Sequence, residues 1–251
     1  MQSEAEAPVV GPRHVGQAGV EVDAVEMSFG AVRALAGVTL TVDAGEIVAV
    51  VGPSGCGKST LLELVCGLVE PSAGRVRAGA AALMPQRDAL LPWLSALDNA
   101  ALALRVAGFS RADARAAAHE HFAAFGLEGF ERARPAALSG GMRQRVAFLR
   151  TLLAGRPVLC LDEPFGALDA LTRAQAQGWL ADALAREPRT VLLVTHDVEE
   201  AVLLADRVVL LSPRPGRVVE TLAVELPRPR HRGDADVVAL REHALAALGA
   251  A

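Results

Sequence analysis

A glycine-rich run after a short apolar segment constrains this chain more than any other feature of its sequence. The run Gly52-Pro-Ser-Gly-Cys-Gly-Lys-Ser-Thr60 fits the pattern G-x-x-x-x-G-K-[ST]. Ile47–Val51 before it is typical of a buried β-strand, and a helix is predicted after it, over Lys58–Cys66. Glycines let the backbone N–H groups turn inward around phosphate oxygens, and the positive end of the helix faces the same place. The run therefore predicts a P-loop that binds a nucleoside triphosphate.

The side chains of this loop have separate expected tasks. All but one of the 25 basic residues are arginine, and the single lysine is Lys58. The pattern assigns Lys58 to the β- and γ-phosphates and the Ser59 hydroxyl to Mg²⁺. Cys56 is interpreted as a small spacer residue of the loop, with thiolate character as the less favoured alternative. The predicted nucleotide ligands in the loop are Gly52, Ser54, Gly55, Cys56, Gly57, Lys58, Ser59 and Thr60.

Elsewhere, short β-branched runs alternate with segments of helical periodicity, which favours an α/β domain with a largely parallel sheet. The predicted strands are Val20–Val25, Val38–Val42, Ala80–Met84, Val158–Leu161, Thr190–Val194, Arg207–Leu211 and Arg217–Val224. The predicted helices are Leu97–Val106, Ala112–Phe125, Met142–Ala154, Ala170–Ala185, Val198–Leu204 and Asp236–Leu248.

Composition excludes several classes of protein. The net charge of −4 is not that of a nucleic-acid binder, and the longest stretch without charged residues, Ile47–Gly57, is too short to span a bilayer. Three cysteines without ligand spacing favour a reducing cytosol over a disulfide framework.

Residues 1–18 are predicted to be a disordered leader. Pro227–Gly233 is predicted to be a stiff, basic, solvated linker, with a contact to anionic lipid as the less favoured alternative.

Two acidic residues follow the predicted strand Val158–Leu161. In a P-loop fold the first carboxylate after such a strand is linked to Mg²⁺, which assigns Asp162 to the metal. Glu163 can then hold the attacking water and accept its proton. An isolated Asp-Glu pair is usually a solvated pair, so this interpretation depends on the phosphate-binding loop.

A second glycine motif, Leu138-Ser-Gly-Gly-Met-Arg-Gln-Arg145, lies at a predicted helix start. Ser139, Gly140 and Gly141 can offer hydroxyl and N–H donors to a phosphate, although an ordinary helix N-cap is the simpler interpretation of the string alone. One chain does not need two γ-phosphate cradles, whereas two facing chains could each supply one.

With these three elements, the sequence from Val20 to Leu226 resembles the ATP-binding subunits of ABC transporters. Gly52–Thr60 matches the Walker A motif, Val158–Asp162 the Walker B motif, and Leu138–Met142 the L-S-G-G-Q signature with Met142 as its last residue. The resemblance implies a P-loop NTPase sheet with an antiparallel β edge and a helical subdomain, at about 87–155, that carries the signature. The segment between Gly74 and Gln86 is short for the family, so a trimmed antiparallel edge is expected.

The resemblance also implies roles for residues that their own surroundings would not single out. Gln86 is similar to the Q-loop glutamine, which senses Mg²⁺ and water, and His196 to the switch histidine. Asp169, in Ala167-Leu-Asp169, is similar to the D-loop aspartate, and Phe29 is the candidate for stacking on adenine. The implied catalytic residues are thus Glu163, His196 and Gln86, the Mg²⁺ ligands are Ser59, Gln86 and Asp162, and ATP is the substrate.

As a family member, the chain is expected to form a head-to-tail dimer with a second copy, each ATP lying between the P-loop of one and the signature of the other. It is expected to act at the cytoplasmic face of the membrane, bound to permease subunits. Its link to a solute-binding protein would be indirect, through the permease, and no binding of nucleic acid is expected. The motifs resemble the nitrate/sulfonate/taurine branch, with 138–153 closest to thiamine-pyrimidine precursor importers. The alternatives are a DNA-repair type of ATPase, which needs a long coiled coil that 61–137 cannot supply, and a non-hydrolysing adaptor.

Overall fold

The computed structural model describes residues 19–166 and 168–250. The strands are β1 (Val20–Phe29), β2 (Val32–Val42), β3 (Ile47–Val51), β4 (Ala73–Ala78), β5 (Ala81–Met84), β6 (Val158–Asp162), β7 (Thr190–Thr195), β8 (Arg207–Leu211) and β9 (Val218–Ala223). The helices are α1 (Lys58–Val65), α2 (Ala96–Ala100), α3 (Leu102–Val106), α4 (Arg111–His119), α5 (Gly140–Leu152), α6 (Ala170–Arg186), α7 (Val198–Leu204) and α8 (Ala235–Gly249). The leader predicted at 1–18 lies outside the described residues.

The main sheet has the order β5-β6-β7-β3-β8-β9, parallel except for β9. Its central strand β3 is buried along its whole length, because Val48 and Val50 pack on one side and Ala49 and Val51 on the other. Parallel strands covered on both faces need such continuous apolar runs. The sheet therefore brings the carboxyl ends of β3, β6 and β7 to one edge, which is where ligands of open α/β sheets bind. The predicted fold class is confirmed.

The antiparallel edge is a separate sheet of order β2-β1-β4. The short segment between Gly74 and Gln86 still contributes to β4, which pairs with β1 over Val20–Asp23. This sheet and α1 pack together over one face of the main sheet. The helices α2 to α8 pack on the opposite face.

Two predicted helices are shorter than expected. The helix predicted over Leu97–Val106 is divided at Ala101, where the backbone tightens to φ −72° and ψ −8°. The helix predicted to reach Phe125 ends at His119. Beyond it the amide of Phe122 bonds to the carbonyl of His119 at 3.0 Å, a tighter pattern than the α-helical one, and this turns Phe122 into the core.

The predicted solvated linker is also wrong in one respect. Residues 227–234, here called the C-terminal strap, lie along α7, and their arginines bond to the domain instead of to solvent alone. The predicted C-terminal helix is present as α8, which packs against α7 and the β8–β9 edge through Val237 and Ala244.

Candidate active site

The loop between β3 and α1 can be closed only with glycine at particular positions. Gly57 has φ +102°, and a Cβ there would lie 2.5 Å from Cδ2 of the buried Leu35 and 2.9 Å from the carbonyl oxygen of Ala34. At Gly52 a Cβ would lie 2.9 Å from the sulfur of Cys56. The glycines of the pattern therefore serve close packing as well as the turn itself.

Lys58 is buried beneath this loop. Its Nζ donates to the carbonyl oxygens of Gly52 at 2.7 Å and Pro53 at 3.1 Å, and lies 3.9 Å from Oε1 of Glu163. A buried ammonium must be compensated by acceptors or by opposite charge. The lysine is thus held at the loop, next to the acidic end of β6, where it can meet an anionic ligand.

Asp162 ends β6 and is buried. Burial raises the pKa of its carboxyl, and a hydrogen bond with the Ser59 side chain acts in the opposite direction. The two predicted metal ligands from different elements therefore lie side by side. A carboxylate in such a place is stabilised by any cation bound there.

Glu163 is the point on which the other predicted catalytic side chains converge. Nε2 of Gln86 donates to its Oε2 at 2.9 Å, and Nδ1 of His196 lies 3.3 Å from its Oε1. Its backbone has φ +43°, an unusual value for a residue other than glycine, and its N–H donates to the carbonyl of Val194 at 2.8 Å. Such conformations are held by the surrounding structure and cluster at functional sites.

One cavity of about 370 Å³ is lined by Lys58, Ser59, Gln86 and Glu163. Phe29, half exposed at the end of β1, lies at its wall together with the P-loop, Gln86 and Glu163. The cavity is lined by Phe29, Val32, Ala34, Ser54, Gly55, Gly57, Lys58, Ser59, Thr60, Gln86, Glu163 and Arg214. An aromatic side chain at one end and an ammonium at the other suit a ligand with a flat base and a phosphate tail.

The signature motif lies beside this cavity and not in it, since Gly140 lines a neighbouring cavity of about 620 Å³ together with Gln86 and Glu163. Among the described residues, none from the signature lines the P-loop cavity. Ser139 caps α5 by accepting from the backbone N–H of Met142 at 3.2 Å, and Gly140 is exposed. Gly141 lies against α6, where a Cβ would be 2.6 Å from Cγ2 of Thr172. Asp169 caps that helix through the N–H groups of Leu171 and Thr172, and its hydrogen bond with Thr172 lowers the pKa of its carboxyl.

Comparison with known proteins identifies the family. A family model described as "ABC transporter" matches residues 35–166. The aliphatic sulfonates import ATP-binding protein of Rhodococcus jostii is 48% identical over 215 residues, which cover 83% of this chain and 84% of that protein. This chain belongs to the ABC transporter family. The ABC subunit is accordingly an ATP-binding ATPase.

Other relatives and solved structures agree with this assignment. The taurine import ATP-binding protein of Chromobacterium violaceum is 45% identical over 230 residues, covering 85% of this ABC subunit and 88% of that protein. A dimeric bacterial ABC transporter cassette superposes with a TM-score of 0.74 at 29% identity, covering 83% of this chain and all of that one. A dimeric cassette in a post-hydrolysis state with ADP and Pi gives a TM-score of 0.72 at the same identity and coverage.

The ABC subunit has site-lining residues that sequence reasoning missed. Arg214 lines the P-loop cavity from the β8–β9 connection, and the sequence carries no signal for it beyond a proline-flanked arginine. Two arginines of α5 hold the Q-loop. Nε of Arg143 donates to Asp88 at 2.9 Å, and Arg150 donates to the carbonyls of Asp88 and Ala89. The signature helix is thus bonded to the segment that carries Gln86.

The structure supports the interpretation of Cys56 as a small spacer residue. The side chain is fully buried and is absent from the described lining of the P-loop cavity. Burial raises the pKa of the thiol, and the nearby ammonium of Lys58 offsets only part of that effect. Cys56 therefore acts as a small packing residue beneath the loop, while its neighbours line the cavity.

Proposed function

We propose that this chain is the ATP-hydrolysing subunit of an importer for a small sulfonate such as taurine. The observation that carries the hydrolytic part is the convergence of Gln86 and His196 on Glu163, which lines the P-loop cavity together with Gln86 and Lys58. In this arrangement the carboxylate of Glu163 accepts a proton from the attacking water. Gln86 orients the carboxylate and the water, and His196 holds the γ-phosphate geometry. Donors fixed in advance where charge develops contribute most of such catalysis.

Nucleotide binding follows from the same cavity. The adenine stacks on Phe29, and Lys58 with the backbone N–H groups of the loop holds the β- and γ-phosphates. The other loop residues that line the cavity, Ser54, Gly55, Gly57 and Thr60, surround the phosphates. Ser139, Gly140 and Gly141 of the partner subunit complete the site from the other side, and Asp169 lies at the start of the helix that packs on that motif.

The residues also fit a magnesium ion. Among the described residues there is no cluster of three or more His, Cys, Asp or Glu side chains that would hold a metal by itself. Mg²⁺ is typically bound through one or two protein oxygens together with substrate phosphates, and Asp162, Ser59 and Gln86 supply such oxygens. When bound, the ion neutralises negative charge on the phosphates. The burial of Asp162 supports this proposal, because a cation there would offset the cost of its buried charge.

The transport part is supported by the relatives, whose names are those of sulfonate and taurine importers. These names favour a sulfonate over the thiamine-pyrimidine precursors that the signature region resembles. No helix among the described residues is long and apolar enough to cross a membrane. We therefore place the subunit at the cytoplasmic face of a separate permease, served by a solute-binding protein. Trp93, two-thirds exposed after the Q-loop, is the proposed contact with that permease.

The Glu163→Gln variant tests the hydrolytic proposal. It keeps the shape and the hydrogen bond of the side chain but cannot accept a proton. We expect unchanged ATP binding, a steady-state hydrolysis rate at least a hundredfold lower, and an ATP-dependent dimer in gel filtration. Glu220→Gln, on β9, is the control and retains both hydrolysis and the wild-type elution volume. Hydrolysis at the wild-type rate in Glu163→Gln would refute the role of the carboxylate.

The same variant tests the transport proposal. Because it is expected to remain closed on ATP, tagged Glu163→Gln added to solubilised membranes of the source cells with Mg·ATP should retain the permease subunits. Mass spectrometry then identifies the membrane partner. Capture of a soluble DNA-binding complex instead of a permease would contradict the assignment to transport.

A further inference from the structure

The C-terminal strap fixes the end of helix α7. Arg230 donates to the carbonyl oxygens of Val202 at 2.8 Å and Ala205 at 2.5 Å. Arg228 donates to the carbonyl of Leu204 at 2.6 Å. The last carbonyls of a helix have no partner within the helix, and cationic donors are favourable there. The strap therefore supplies side-chain donors to the C-terminal carbonyls of α7, a helix of seven residues whose own side-chain cap is at its N-terminus.

A third arginine of the strap reaches the neighbouring helix α6. Nη2 of Arg232 donates to Oε1 of Gln177 at 2.8 Å, and Nε2 of Gln177 donates to Oε2 of Glu200 at 3.3 Å. Gln177 and Glu200 are both buried, with 4% and 3% of their surface exposed. Only one of the two oxygens of Glu200 has a hydrogen-bond partner by geometry. The buried carboxyl is thus held by the amide that Arg232 orients, together with the side chain of Thr195.

Glu200 is joined in turn to the loop that carries His196. Its backbone N–H donates to the side chain of Asp197 at 3.2 Å, and the N–H of Asp197 donates to the Thr195 hydroxyl at 3.0 Å. His196 lies between these two residues, with Nδ1 3.3 Å from Glu163. Since this loop is bounded by β7 on one side and α7 on the other, a displacement of α7 displaces the histidine.

We propose that Arg232 is a positioning residue for ATP hydrolysis. Through Gln177 and Glu200 it holds α7 against α6, and with α7 it holds His196 in place beside Glu163. This inference rests on the proposed role of His196 in hydrolysis. The inference assigns a role in hydrolysis to the C-terminal strap, a basic segment that lies outside every motif of the nucleotide site.

The test is a comparison of two arginines that share one partner. Arg232 and Arg241 both pair with Glu199, at 3.3 Å and 3.4 Å, but only Arg232 bonds to Gln177 in the described residues. We expect Arg232→Ala to lower kcat for ATP about three- to tenfold without changing KM. Arg241→Ala should keep the wild-type kcat, and Arg232→Lys, which can still donate to Gln177, should recover most of the lost rate. Equal losses of kcat in the two alanine variants would show that Arg232 has only a general structural role, and would overturn the inference.

A double-mutant cycle distinguishes the inference from the proposed function. If Arg232 acts through His196, adding Arg232→Ala to His196→Ala should leave the residual rate unchanged. A further loss in the double variant of the same size as in the single one contradicts that route. If His196→Ala hydrolyses ATP normally, the proposed role of the histidine fails. If His196→Ala is inactive while Arg232→Ala keeps the wild-type kcat, the inference alone fails.

Discussion

At the scale of single residues, Gly57 shows why the sequence pattern is so restrictive. The backbone of Gly57 is left-handed, with φ +102°, and a Cβ at this position would lie 2.5 Å from Leu35 and 2.9 Å from Ala34. Gly55 has φ +79°, but a Cβ there would meet nothing within 4 Å. Substitutions at the two glycines therefore distinguish the free-energy cost of a left-handed backbone from the cost of crowding by a Cβ.

Alanine substitutions at these glycines should differ in stability. Gly55→Ala should lower the free energy of unfolding by about 1–2 kcal/mol, the usual cost of the left-handed conformation. Gly57→Ala should lower it by about 2–4 kcal/mol, because overpacking against Leu35 adds to that cost. It should also weaken ATP binding, since α1 begins at the next residue. Urea unfolding of the two variants measures the difference, and equal losses would show that the crowding is relieved without cost.

The predictability of site residues depended on whether each one belongs to a local pattern. Lys58, Ser59 and Asp162 could be assigned because a strand, a loop and a spacing identify them. Arg143 and Arg214 could not, since their relation to the site depends on partners distant in the sequence, such as Asp88 or the P-loop. The burial of the Cys56 thiol could not be predicted, because its position in the loop says nothing about which way the side chain points.

At the scale of secondary structure, the strands of the main sheet were predicted well, including its edge strands β5 and β9, whereas β4 of the antiparallel sheet was not. β4 was missed because its sequence, AGRVRA, has no apolar alternation and is almost wholly exposed. It is held by backbone pairing to β1 and by ion pairs of Arg75 with Asp23 and Arg77 with Glu21, which join positions more than fifty residues apart. The strap was misjudged for the same reason, since its arginines bond to main-chain carbonyls that a sequence does not display.

The contact between α6 and α7 gives the ABC subunit a pH-dependent stability. Burial raises the pKa of Glu200 from 4.5 to about 7, and the carboxylate of Asp197 adds to this, while Gln177, Thr195 and Arg173 oppose it. Between these two pH values the folded chain therefore holds more protons at this site than the unfolded chain does. The contribution of Glu200 to the free energy of unfolding is thus present below pH 4.5 and lost as the pH rises through about 7.

The Glu200→Gln variant should remove this pH dependence, because it keeps an acceptor for Gln177 without a titrating group. We expect the free energy of unfolding of the variant to equal that of wild type near pH 4.5. At about pH 8 it should exceed that of wild type by an amount on the order of 2–3 kcal/mol. Urea unfolding across this range provides the measurement. Glu225→Gln, at an exposed position after β9, is the control and should follow the wild-type curve. Parallel curves for wild type and Glu200→Gln would contradict the assignment.

At the scale of the whole molecule, no described residue of the signature lines the P-loop cavity, and Gly140 lines a neighbouring cavity with Gln86 and Glu163. The P-loop is at the carboxyl edge of the main sheet, whereas Ser139 and Gly140 lie at the start of α5 and do not line the P-loop cavity in the described residues. A chain that has both halves of the proposed nucleotide site but does not join them can complete a site by pairing with a second copy. In a two-fold dimer each subunit then gives its P-loop to one site and its signature to the other.

Mixing two inactive variants tests this arrangement directly. Lys58→Ala removes the phosphate-binding ammonium, and Ser139→Arg blocks the signature, so each variant alone should hydrolyse almost no ATP. If sites form between chains, equal mixing leaves about a quarter of the sites with an intact Lys58 and an intact Ser139, and activity returns. If each site forms within one chain, every site stays defective and the mixture remains inactive. Ser110→Arg, which disrupts the equivalent N-cap of α4, is the control for stability. It should keep its own activity, because the proposed interface does not include it.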